Sequence, residues 1–240
     1  MLAELALSNF PLLGQKIHDS PKESLLSNTS SQMPDLPPHS LRPYGPTAWL
    51  IQLADPNDIE FLHHLASQTH PLCQEWVVAY DSLLILTHHP QPEAKIQQLL
   101  HSLAKTTSST QPPQHHEVHV HYDGPDLTEV AHHSGLSPNE VVTLHSQAQY
   151  RVRFLGFSPG FAYLDGLPKA LHLPRRATPR PHMAKGAVAI GGTHAGIYTI
   201  PSPGGWNWLG NTDHPLFQPG ASPDAAFTLK VGDTLTFIPA

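Results

Sequence analysis

Glycine is distributed unevenly along this chain, and that constrains its fold more than any other feature. Twelve of its 16 glycines lie between Gly156 and Gly232, and none lies between Gly45 and Gly124. Glycine and proline interrupt helices and build turns, so the last 85 residues are expected to fold as strands and loops. The stretch from about 45 to 105 can hold helices. Two domains of different character are therefore expected: 1–40 as a poorly ordered tail, 41–105 as a small α+β domain, 106–116 as a linker and 117–240 as a β-rich domain.

Local signals sharpen this outline. Ala48–Leu53 reads as a buried strand, and Asp55-Pro56 as a helix start with Ile59, Leu62 and Ala66 on one stripe. Trp76–Tyr80 and Ser82–Thr87 read as strands joined by a tight turn at Asp81. Pro92 opens a helix that buries Ile96, Leu99, Leu100 and Leu103. The order β-α-β-β-α describes a small α+β sandwich. Farther on, Glu117–Tyr122 alternates like a strand. A short helix starts at Pro125, with Asp126 and Glu129, and ends at Gly135. Ser137-Pro-Asn-Glu140 is a capping box for the next helix. Strands are then predicted over Tyr150–Phe157, Val188–Ile190, Gly196–Ile200, Phe227–Val231 and Asp233–Ile238, a pattern of barrels or sandwiches.

Composition excludes several classes of function. Charged residues make up 13% of the chain, too few for a charge-rich disordered protein, and the formal net charge of −6 gives no footprint for nucleic acid. One cysteine, Cys73, cannot form an internal disulfide or a multi-cysteine zinc site. No run approaches the ~20 apolar residues of a membrane span, and the first residues lack the basic region of a signal peptide. A cytoplasmic protein without membrane or nucleic-acid partners is expected.

Candidate chemistry is concentrated in the second half. Gly156-Phe-Ser158-Pro-Gly160 has the G-x-S-x-G spacing of a nucleophile elbow, but an elbow needs the backbone N–H after its serine, and Pro159 has none. A tight turn is expected there. His119 and His121 share one strand face, a chelating geometry or merely a polar edge; no further ligands can be identified, and no metal is expected. His63-His64 and His132-His133 do not share helix faces and are expected to be solvated. His145 lies on an apolar helical stripe, as either a core histidine or a catalytic one.

The electrostatic signal is stronger. From Gly166 to Asn211 there is no carboxylate, while Lys169, Arg175, Arg176, Arg180 and Lys185 supply five cations. Arginine forks onto carboxylate or phosphate oxygens, and Gly191-Gly192 and Gly204-Gly205 allow close backbone approach. The expected site is a small-molecule anion pocket of Arg175, Arg180 and Lys185. Phe157, Phe161, Tyr163, Tyr198 and Trp206 would wall it, with His145 or His194 moving a proton. No Gly-Lys-Ser/Thr of a P-loop occurs.

Several ordered motifs carry a resemblance. Tyr150–Leu167, Pro174–Arg180, Ala189–Gly192, Gly196–Tyr198, Ser202–Trp206 and Gly232-Asp233 are similar to the signature of the KipI family, formerly labelled allophanate hydrolase subunit 1. The family includes the B component of bacterial 5-oxoprolinase and one half of the carboxyltransferase region of urea carboxylase. The resemblance implies an α+β N-terminal domain followed by a cyclophilin-like β-barrel. It also implies partner subunits of C and A type in a complex that uses ATP (with Mg) to hydrolyse 5-oxo-L-proline to L-glutamate. By this resemblance the chain alone is inactive and binds no cofactor tightly. A histidine-kinase-inhibiting binding protein and a urea carboxylase-type carboxyltransferase half are the alternatives. This chain departs from the pattern at Met183–Val188, at His194-Ala195, which replace Gln-Thr, and at Asn211, where arginine is common.

Overall fold

A computed structural model describes residues 37–105, 112–222 and 225–240. Its elements in chain order are β1 (His39–Gly45), β2 (Ala48–Leu53), α1 (Ile59–Ala66), β3 (Cys73–Ala79), β4 (Ser82–Thr87), α2 (Glu93–Ala104) and β5 (His115–Val120). Then follow α3 (Leu127–Ser134), α4 (Pro138–Gln147), β6 (Tyr150–Leu155), β7 (Ala162–Asp165), β8 (Arg180–Met183) and β9 (Ala187–Gly191). The chain closes with β10 (His194–Ile197), β11 (Ser202–Gly204), β12 (Asn207–Asn211) and β13 (Thr234–Pro239).

The N-terminal lobe is a four-stranded sheet, ordered β1-β2-β4-β3, carrying α1 and α2. Alternation along β4 buries Leu83 and Ile85, and the stripe on α2 buries all four expected residues, Ile96, Leu99, Leu100 and Leu103. Asp55 accepts a hydrogen bond from the Asn57 N–H at 2.8 Å, capping a single helical turn that leads into α1. The strand β1 was not expected. It begins at His39, within the predicted tail, whose residues 1–36 lie outside the described residues, as do 106–111 of the predicted linker.

The second lobe is a seven-stranded sheet ordered β12-β9-β10-β7-β6-β13-β5. It closes on itself: beyond β5, His121 and Asn211 exchange backbone hydrogen bonds of 2.9 and 2.8 Å. Closure removes a pairing edge that an open sheet would expose. Gly210 permits it, since a Cβ there would lie 2.3 Å from the His121 carbonyl oxygen. Helices α3 and α4 end and start as their signals require. Gly135 takes a left-handed φ of 68°, and Ser137 and Glu140 complete both halves of the capping box.

Three expectations are corrected. Phe227–Val231 is not a strand; it contributes one bridge, between Phe227 and Phe217, because the adjacent β13 already pairs with β5 and β6. Strands β7, β8, β11 and β12 were missed, being short and interrupted by Gly or Pro in or near them. His63 and His64 are half-buried rather than solvated: His63 Nε2 lies 2.7 Å from the Arg153 carbonyl and His64 Nε2 3.2 Å from that of Leu103. Burial lowers the His63 pKa, against the pull of that hydrogen bond.

Candidate functional site

The segment that lacks carboxylates in sequence does not lack them in space. Asp126, at the start of α3, is buried, and its carboxylate accepts from Arg180, from Arg176 Nη1 at 2.7 Å and from the Trp208 N–H at 2.9 Å. Arg176 also meets Glu129 Oε2 at 2.9 Å. Two of the three arginines are thereby committed to structure. A buried carboxylate requires such pairing, since unpaired it would carry a large desolvation penalty.

Arg175 is placed differently. Its side chain is exposed, has no carboxylate within 4.0 Å among the described residues, and stands 5.8 Å over the Trp206 ring. That distance suits a cation–π contact. Its charge acts on Tyr80, a residue of the N-terminal lobe. Burial raises the Tyr80 pKa, against the opposing pull of Arg175.

Tyr80 also brings the lobes together. Its ring lies 5.0 Å from Phe154, 6.0 Å from Tyr163 and 5.2 Å from His194. His194 opens β10, and its Nδ1 is 3.0 Å from Asp165 Oδ1 on β7, though off the line of a good hydrogen bond. The other Asp165 oxygen accepts from Arg153 Nη1 at 2.8 Å. Burial alone would raise the Asp165 pKa, but His194 and Arg153 outweigh it and hold the carboxyl below its ordinary value. Arg153 Nη2 completes the crossing by donating to the carbonyls of Pro56 (2.9 Å) and Tyr80 (3.0 Å).

The remaining expected residues divide clearly. Phe161, Tyr163, Tyr198 and Trp206 do pack as one aromatic cluster, with Phe157 at its exposed rim. Burial raises the hydroxyl pKa values of Tyr163 and Tyr198 to about 12. Gly191 serves this packing rather than a ligand, since a Cβ there would meet the Trp206 ring at 2.8 Å. Gly192 takes a φ of 65° in the turn between β9 and β10. Lys185 is exposed on the turn before β9.

His145 is separated from this site. It is fully buried on α4, stacked 4.5 Å from Phe237, with Nδ1 2.8 Å from the Tyr122 hydroxyl, and burial pushes its pKa down to about 3. It belongs with the barrel core, the first of its two expected readings. Ser158 sits in a tight turn in which the Phe161 N–H donates to the Ser158 carbonyl at 3.0 Å, and its Oγ is buried without a partner. Among the described residues no group of three or more His, Cys, Asp or Glu converges as metal ligands. His119 is exposed, and His121 Nδ1 lies 3.2 Å from the Ala240 carbonyl. The described residues do not suit Mg–ATP, having neither a P-loop nor a carboxylate cluster.

Sequence reasoning missed Tyr80, Asp165 and Arg153. The one available signal was Tyr80-Asp81 in a hairpin turn, where a bulky residue must take the left-handed conformation.

A closed barrel joined through an aromatic and ionic junction to a small α+β lobe defines a two-lobe class of barrel protein. Residues 39–227 match the family model described as carboxyltransferase domain, subdomain C and D, and the chain belongs to that family. It is 50% identical over 116 residues to the B component of 5-oxoprolinase from Escherichia coli O157:H7, covering 48% of this chain and 52% of that protein. It is 44% identical over 115 residues to the Bacillus subtilis (strain 168) protein of the same name, covering 48% and 47%. The chain thus spans about half the length of these curated relatives. Among solved structures, TTHA0988 superposes with a TM-score of 0.70 at 32% identity, over 84% of this chain and 40% of that one. The urea amidolyase of K. lactis superposes with a TM-score of 0.63 at 17% identity, over 85% of this chain and 15% of that one, a likeness of fold. No helix among the described residues is long and apolar enough to cross a membrane.

Proposed function

We propose that this chain is the B-type subunit of a 5-oxoprolinase, which opens 5-oxo-L-proline to L-glutamate with ATP in a complex with A-type and C-type subunits. The names of its relatives support the reading. The structural observation that carries it is Arg175, an accessible guanidinium over the Trp206 ring with no carboxylate within 4.0 Å among the described residues. A lactam is an unreactive amide, so opening it needs activation of the carbonyl oxygen and stabilisation of developing charge. This chain supplies a fixed cation and aromatic walls, while the nucleotide chemistry falls to partner subunits. Its part is to hold and orient the substrate, which raises the effective concentration of reacting groups.

The test is reconstitution. The purified chain alone releases no glutamate from 5-oxo-L-proline, and the three-subunit mixture with Mg–ATP releases glutamate and phosphate together. An assembled complex that leaves 5-oxo-L-proline intact overturns the proposal.

A further inference from the structure

We propose that the Tyr80-Asp81 hairpin turn is a lid over one aromatic face of the barrel, and that Arg153 is the latch that holds it shut. The covered surface is made by Phe154, Tyr163 and His194, whose rings lie 5.0, 6.0 and 5.2 Å from that of Tyr80. Tyr80 is half-buried there, and Ile59 and Val78 of the same lobe pack into the same cluster.

The closed arrangement carries two unfavourable features at this contact. Tyr80 has a φ of 35°, a left-handed conformation uncommon for a bulky residue. Strained backbone of this kind persists where the surroundings over-determine it, and switch regions are among the places where it gathers. His194 is buried, and its Nδ1 has no hydrogen-bond partner among the described residues, since Asp165 Oδ1 is 3.0 Å away but off the donor line. A buried polar atom without a partner favours any state in which water reaches it. Lifting Tyr80 relieves both.

The polar contact that opposes lifting comes from one guanidinium. Arg153 Nη2 donates to the carbonyls of Tyr80 at 3.0 Å and Pro56 at 2.9 Å, while Nη1 donates to Asp165 Oδ2 at 2.8 Å. The carboxylate fixes the planar fork, and the fork holds the strained residue by its carbonyl. Two other contacts between the lobes lie on α1: Glu60 pairs with Arg151, and His63 Nε2 lies 2.7 Å from the Arg153 backbone carbonyl. Neither uses the Arg153 side chain, so α1 stays attached and serves as the hinge about which the hairpin rocks. The device does not rest on the oxoprolinase reading.

Labelling the full chain with diethyl pyrocarbonate, read site by site by mass spectrometry, tests the latch. The reagent acylates accessible imidazoles, and a covered ring reacts in proportion to the population of the open form. In the wild-type chain His194 is expected to react slowly, the exposed His119 fast, and His145, enclosed in the barrel core, not at all. Arg153→Met speeds the reaction of His194 at least about tenfold, the scale of a lost hydrogen bond to a charged group. His119 and His145 keep their wild-type behaviour. Tyr80→Gly, which removes the ring and accepts a positive φ, uncovers His194 as well, and adding Arg153→Met to it gives no further increase. If Arg153→Met also makes His145 reactive, the whole fold has loosened, and Arg153→Lys, which keeps the charge but loses the fork, decides by the same comparison. A His194 rate equal to wild type in the folded Arg153 variant, a wild-type His194 as reactive as His119, or a further increase in the double variant overturns the proposal.

Discussion

Arg180 and Asp126 form an ion pair in which the carboxylate is buried and the guanidinium is partly exposed, joining β8 to the start of α3. The arginine therefore stabilises the fold instead of waiting for an anion. Removing one partner of a buried pair strands the other, at a typical cost of ~3–5 kcal/mol. Asp126→Ala should lose stability on that scale. It leaves Arg176 and Arg180 without their shared carboxylate and the Trp208 N–H unpaired. Arg180→Ala should cost less, ~1–3 kcal/mol, because Arg176 and the Trp208 N–H still satisfy Asp126. Urea denaturation of both variants measures the difference, and midpoints equal to wild type would contradict the structural assignment.

Ser158 offers the opposite case. Its hydroxyl is buried with no partner, and Pro159 denies it the donor that a nucleophile elbow requires. Ser158→Ala is expected to leave turnover by the reconstituted complex unchanged. Stability should stay level or rise slightly, since an unsatisfied buried hydroxyl contributes nothing favourable. Loss of turnover in a folded variant would restore the serine as a reacting group.

Gly191 tests the backing of Arg175. A Cβ there would press on the Trp206 ring at 2.8 Å. Overpacking a well-filled core typically costs ~1–3 kcal/mol. Gly191→Ala should therefore lower the unfolding midpoint and shift the near-ultraviolet circular dichroism of the aromatic cluster. An unshifted spectrum with wild-type stability would show that the ring has room to move.

His145 sets an acid limit on stability. Burial lowers its pKa from 6.5 to about 3 in the folded chain, so between those values the unfolded state binds the extra proton. Stability is thus highest above pH 6.5 and falls as acid is added through that window, by up to ~1.4 kcal/mol per pH unit from this group. His145→Gln should be less stable at pH 7, because it disturbs the contact with Tyr122, yet should lose less on going to pH 5. Denaturant titrations at the two pH values measure both effects. Parallel losses in the two proteins would remove His145 as the source.

The sequence by itself determined what depends on chain neighbours. The four apolar positions of α2, the capping box at Ser137 and the stop at Gly135 follow from contacts within about one helical turn. The exclusion of Ser158 follows from one adjacent proline. The likeness of the 120–240 motifs also indicated the barrel before its closure was seen. Tertiary structure decided how the charges were used. Asp126 stands 54 positions from Arg180, and the Pro56 carbonyl 97 from Arg153. An arginine's role depends on whether a carboxylate, an aromatic face or solvent meets its guanidinium, and these partners come from distant chain. Arg175, Arg176 and Arg180 look alike along the chain, yet the fold neutralises two of them and leaves the third over the Trp206 ring.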